Sequence, residues 1–136
     1  MAVRALGALA TLAVGAVHLQ QYFELYSNVP TIGTLFVLNF AGATAIGLGL
    51  VAPIERLGGR LGGAAVALLA AGGFVLALTA FVFLLISEHR PVFGFMEPGY
   101  DAAAITAARV AEVATVALLG AYLVARFVAR VPMPRW

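Results

Sequence analysis

The sequence predicts an all-α protein: a transmembrane bundle of four helices running up, down, up and down, with both termini cytoplasmic. Three observations predict it. Hydrophobic residues make up 63% of the 136-residue chain and charged residues 10%, against roughly 45–50% and roughly 25% in soluble domains. Small domains keep a large share of their surface exposed, so lipid must be the solvent for much of this chain. Four windows, at about residues 5–25, 33–53, 61–87 and 102–128, supply the roughly 20 apolar residues that a spanning helix needs. The breaks between them carry turn chemistry. A single transmembrane domain over residues 1–136 is expected.

The first window places Gly7, Thr11 and Gly15 at a spacing of four, which lets helix backbones approach closely in lipid. Its opening, "MAVRALGALATLAVGA", also has the basic start, apolar run and V-x-A end of a cleaved leader. The apolar pattern resumes at Val17 and reaches Tyr26, so a spanning helix is expected. Pro30 and Gly33 separate it from the second window, where Ala43 and Gly47 are the small residues. "APIERLGGRLGG" divides the second from the third, which carries Gly72 and Gly73. "SEHRPVFGFMEPGYD" then breaks the chain at Pro91, Pro98 and Gly99 and offers Asp101 as the N-cap of the last helix. The glycines match neither a P-loop nor a dinucleotide-binding pattern and read as packing positions. No internal repeat is visible, which argues against an inverted-repeat transporter.

The net charge of +2 is made from eight arginines and no lysine. They are scattered singly, so no phosphate-binding patch forms and no nucleic-acid partner is expected. The absence of Cys excludes disulfide exchange, thiolate metal ligation and Cys nucleophiles. Arg4, Arg56, Arg60, Arg126, Arg130 and Arg135 fall at one set of helix ends, and only Arg90 lies in a loop at the other. By the positive-inside rule the first set is cytoplasmic. Tyr26, Tyr100 and Trp136 are expected at the interfaces.

Depth brings the polar residues together. At 1.5 Å per residue, His18 lies roughly 10 Å below the outer surface, Asn39 roughly 9 Å, and Arg109 and Glu112 roughly 10 to 15 Å. Thr11, Gly15, His18 and Tyr22 share a helical stripe with Gln21 at its edge; Ile105, Arg109, Glu112 and Val116 share another. The inner halves of the helices hold no acid, base or His. Ionisable groups in a span cost about 2.5–3.5 kcal/mol or more near its centre and so face a bundle interior or a wet cavity. An outward-opening polar pocket of His18, Gln21, Tyr22, Asn39, Arg109 and Glu112 is therefore expected. The purely structural account of the same residues pairs Arg109 with Glu112 at i, i+3. It has His18 bond across helices to Glu112 or Asn39, and makes Asn39 inter-helix glue.

Enzyme chemistry finds little support. His18 and His89 are the only imidazoles, separated by most of the outer half-leaflet, so they do not form a haem or metal pair. Ser27 and Ser87 lack a matching His–acid arrangement, and no catalytic residue is assigned. "HRPVFGFMEPGY" sets Phe93, Phe95, Met96 and Tyr100 among few charges, as an interfacial anchor or a lid over the bundle mouth.

The arrangement "VHLQQY…VPTIGTLFVLN…VFGFMEPG…ARVAEVATVALLGAYL" resembles small four-span integral membrane proteins of high-GC Gram-positive bacteria. These carry H-L near the end of helix one, a [IV]-P-T-I-G-x-L-F-x-L-N start to helix two, and F-G-[FY]-x-E-P before helix four. The likeness covers most of the chain; in overall shape alone the protein is also similar to DoxX-like four-helix proteins. The resemblance implies the topology and a bacterial inner membrane, and it implies no reaction.

The expected function is non-catalytic: an accessory subunit, or a binder of a lipophilic ligand. The rival is a redox or proton-transfer component in which His18 and Glu112 handle protons near a quinone or haem. A small transporter is a third reading, disfavoured by the polar-free inner halves. The expected partners are the lipid bilayer and other membrane subunits or a second copy.

Overall fold

The computed structural model describes residues 2–129; Arg130, Arg135 and Trp136, assigned above to the membrane surface, lie outside them. Among the described residues the chain is helical with no strand, and four helices are long and apolar enough to cross a membrane. Helix α1 (Ala2–Gln21) runs into a π-helical turn, Tyr22–Tyr26. Helix α2 (Ile32–Val51) is followed by a single turn, α3 (Ile54–Gly58), then by α4 (Arg60–Ser87) and α5 (Ala102–Val128). In the ring they form, α1 packs on α2 and α5, and α4 packs on the other sides of both.

Each boundary has a local cause. Ala52 is extended ahead of Pro53 (φ −64°, ψ 147°), as the proline ring requires of its neighbour. The segment after it does not stay a plain turn, as its glycines suggested. Ile54 packs on the buried core, and Arg56 N–H donates to the Pro53 carbonyl (3.0 Å), closing α3. Asp101 caps α5 as expected, its carboxylate accepting from the Ala104 N–H at 2.9 Å.

One end of the bundle is dense. Ala8, Leu50, Val66, Ala70 and Leu119 are fully buried together. Leu119 is keyed between two glycines: a Cβ at Gly7 or Gly73 would stand 2.5 or 2.7 Å from its methyl carbons. At Gly47 a Cβ would stand 2.6 Å from Leu12. Such close approach is what holds helices together where lipid competes for apolar contact. The Thr11 and Thr115 hydroxyls donate to the Gly7 and Ala111 carbonyls, 2.7 and 2.8 Å away, so neither introduces an unpaired polar group. Arg4 pairs with Glu55 at 2.9 Å, and the Arg126 guanidinium donates to the Gly63 carbonyl at 2.6 Å. This is the Arg4 end. The opposite end, where Tyr26 lies, is hollow.

Candidate functional site

A cavity of about 500 Å³ lies between α1, α2, α4, α5 and the segment that joins α4 to α5. Its walls are mostly aliphatic and aromatic, with His18, Gln21, Asn39 and Glu112 as the polar side chains contributed by helices α1, α2 and α5. The volume is in the range that holds a small organic ligand.

The His18 ring is oriented by its own helix. Nδ1 lies 2.8 Å from the Val14 carbonyl, and a carbonyl only accepts, so Nδ1 carries a hydrogen. In the neutral ring Nε2 is then a bare acceptor, and it faces Glu112 Oε1 at 3.9 Å. That gap is too wide for a hydrogen bond. Glu112 is 1% exposed, and its second oxygen, Oε2, has no hydrogen-bond partner. Asn39 Oδ1 is likewise buried without one. Buried polar atoms are paired in the great majority of proteins, so unpaired ones beside a cavity mark where a ligand's polar group fits. The two unpaired oxygens, Oε2 and Oδ1, accept when Glu112 is ionised, and the Asn39 amide nitrogen beside them can donate.

A roof closes the cavity at the Tyr26 end. Val92 and Phe95 exchange backbone hydrogen bonds (2.7 and 3.0 Å) around a tight turn in which Phe93 and Gly94 have φ of 50° and 78°, the left-handed pair that glycine eases. The turn exposes Phe93 and directs Phe95 beneath it, edge-on to Tyr26 with centroids 5.4 Å apart. Tyr26 stacks at 4.6 Å on Phe36, which lies 4.9 Å from the His18 ring. The Tyr26 hydroxyl donates to the buried Glu97 carboxylate, which also accepts from the Gly99 N–H at 2.9 Å. Glu97 N–H donates to the Ser87 carbonyl (2.8 Å), fastening the roof to the end of α4. Gln21 donates to Asp101 at 3.0 Å and joins α1 to the start of α5. The Ala104 N–H first, and then the Gln21 amide, hold the Asp101 carboxyl below the usual aspartate range.

Four of the six expected pocket residues, His18, Gln21, Asn39 and Glu112, therefore share one wall system, and two do not. Tyr22 and Arg109 are half-buried but line no part of the cavity. Arg109 does not pair with Glu112: its long side chain reaches Glu88 at the end of α4, so the partner comes from the next helix and not from its own. Asn39 is not glue between helices, because its carbonyl oxygen meets no donor. His89 bonds the Leu85 carbonyl at 3.1 Å, on the exposed end of α4 and outside the cavity. Nor does the pocket open freely past the helix ends, because the roof covers it.

The roof pair Tyr26–Glu97 was missed. Tyr26 is 6% exposed, not an interfacial ring. The π-turn explains this: position 26, five residues after Gln21, falls on the buried face where an α-helix would have put residue 25. Glu97 carried only a weak signal, an acid directly before Pro98 and Gly99, where the chain must turn.

Comparison with protein-family models, with curated proteins and with solved structures returned no match.

Proposed function

We propose that this chain is a membrane-embedded binder of a lipophilic small molecule, held between the four helices beneath the roof formed by residues 88–101. The observation that carries the reading is the cavity of about 500 Å³ with the unpaired oxygens of Asn39 and Glu112 in its wall. Burying a polar group without a partner costs roughly 1–3 kcal/mol. Retaining two of them beside an apolar chamber is reasonable where a bound molecule completes their hydrogen bonds. The helices run up, down, up and down in this reading, with the Arg4 end cytoplasmic by the distribution of arginine and the roof on the outer face of a bacterial inner membrane. The role is non-catalytic. Arg109, paired with Glu88 beside the roof, keeps a polar helix face tolerable near the membrane surface and does not hold the ligand.

The test is purification in a mild detergent followed by mass spectrometry of the intact protein and of its extracted lipids, with Ala108→Phe as the control. Ala108 lines the cavity, and a phenyl ring there occupies it. A defined lipophile that copurifies with the native chain and is lost from a helical, monodisperse Ala108→Phe variant supports the reading. The same lipids on both proteins would sink it.

One observation favours a second reading, a proton-transfer component acting on a quinone: the His18–Glu112 pair at 3.9 Å. A carboxylate facing a bare ring nitrogen opposes two lone pairs, so the pair is favoured with a proton on one partner. Its test is the ultraviolet spectrum of the solvent extract, which must contain a quinone.

A further inference from the structure

The cavity wall is uneven. From α1 and α5 its lining residues are buried or half-buried, among them Val17, His18, Ala104 and Glu112. Four lining residues are also exposed on the outside of the bundle: Leu38, Val75, Thr79 and Phe83. All four belong to α2 and α4. Toward the Arg4 end these two helices close on each other. A Cβ at Gly42 would lie 3.0 Å from Leu76, one at Gly49 2.8 Å from Leu69, and one at Gly73 3.1 Å from Ile46. One turn nearer the Tyr26 end, Leu38 succeeds Gly42 on α2 and Thr79 succeeds Leu76 on α4, and both are exposed. The seam is shut along one half and parted along the other. At the helix ends, by contrast, Tyr26, Phe95 and Glu97 stand across the route to water.

Resting on the binding reading above, we infer that the ligand reaches the cavity sideways, from the hydrocarbon through the α2–α4 seam, and that it is a neutral lipophilic hydroxyl compound, an alcohol or phenol with a long tail. The tail lies in the seam between Leu38 and Thr79; the hydroxyl sits at Asn39 and Glu112. The oxygens that wait unpaired accept, while the Asn39 amide nitrogen and the proton shared by His18 and Glu112 can donate, so a head that both donates and accepts satisfies the site most fully. An ester or ketone only accepts and would leave an oxygen unpaired. A fatty acid would set a second carboxylate against Glu112. An ammonium would lose its hydration in a mostly apolar chamber, at a cost of several kcal/mol that Glu112 would have to offset, since the other lining carboxylate, Glu97, is engaged by Tyr26 and Gly99. A hydroxyl donates to one oxygen and accepts from whichever neighbour carries the proton.

The chain has no cysteine, so its full length with Leu38→Cys and Thr79→Cys can be stapled across the seam by a bis-maleimide. The probe is hexadecanol bearing a mid-chain diazirine, photolysed with the protein in phosphatidylcholine nanodiscs and mapped by mass spectrometry. Labelling at Val75 and Phe83 is expected to be suppressed by excess unlabelled hexadecanol or by an alkyl quinol, whereas labelling at lipid-facing Leu9 and Val113 is not. If only the quinol competes, the phenol is the source; if only the alcohol competes, the alcohol is. Stapling before exposure should lower saturable labelling about tenfold, and stapling afterwards should retain the probe through detergent washing. Glu112→Gln and Asn39→Leu should each weaken competition about three- to tenfold, the loss of one or two hydrogen bonds. Because either substitution can disturb folding, the stapled native wall decides the route. Saturable labelling that ignores the staple would overturn lateral access. Stronger competition by hexadecylammonium or palmitate than by hexadecanol would overturn the hydroxyl head. No saturable labelling with any probe would overturn the binding reading itself.

Discussion

At the Arg4 end the four helices meet through glycine, alanine and one keyed leucine, and the buried Thr11 and Thr115 hydroxyls are bonded within their own helices. At the Tyr26 end the same helices stand apart around a chamber, with acceptors left unpaired and a loop tied across the top. Both halves belong to the same four rods, so the difference comes from side-chain size. Where glycine recurs, backbones close until a methyl group on the facing helix stops them. Where Leu35, Phe36, Leu84 and Ile105 replace glycine, bulk holds the backbones apart and leaves space between the side chains. A bundle built this way has one half that supplies cohesion and one that is free to hold something.

The sharpest way to break that comparison is Leu119→Ala. Removing the side chain that fills the space between Gly7 and Gly73 should cost about 2–5 kcal/mol, read as loss of helicity on heating in detergent micelles. Next comes a matched pair. Ala70→Leu at the dense end should cost about 1–3 kcal/mol through overpacking, while Ala108→Leu, facing the cavity, should change stability by less than about 0.5 kcal/mol. Equal tolerance at the two positions would dissolve the distinction between the halves. Tyr26→Phe tests the roof: Glu97 keeps only its Gly99 donor, and about 1–2 kcal/mol should be lost. Limited proteolysis within residues 88–101 should accelerate, with no change at the dense end. The smallest effect concerns Asp101. Its carboxyl is held below the ordinary aspartate value in the folded chain, so its charge contributes stability above that ordinary value, and this is lost as pH falls through the folded one. Asp101→Asn keeps a capping oxygen and should flatten the acid limb of the melting-temperature profile, leaving the neutral range nearly unchanged.

The four long helices were legible because a bilayer demands an unbroken apolar run, which survives any tertiary arrangement. The Asp101 cap was legible because capping is local. What failed depended on neighbours. Arg109 and Glu112 are spaced for a pair, yet a guanidinium on a long stem was closer to satisfaction at Glu88, on a different helix. Tyr22 sits in phase with His18 by 3.6-residue arithmetic, but that arithmetic holds only while the helix stays α, and it ceases at Gln21. Glu97 looks like a solvated loop acid until the loop folds back onto Tyr26. Of the polar cluster, depth alone brought His18, Asn39 and Glu112 together; which of their atoms stay unpaired needed coordinates.

The π-turn at Tyr22–Tyr26 also makes this helix sensitive to length in an unusual way. One residue in that turn is surplus to α-helical winding, and deleting Phe23, whose ring is 71% exposed, would let the helix rewind without it. Tyr26 would then stand four residues after Gln21 and keep, by ordinary α-helical winding, the face it now reaches through the wider turn. Deleting a second residue from the rewound turn has no surplus to absorb it and would turn Tyr26 by about 100°. The first shortened chain should keep four helices and its roof, the second should keep the helices and lose the roof, a contrast that substitution scanning cannot produce.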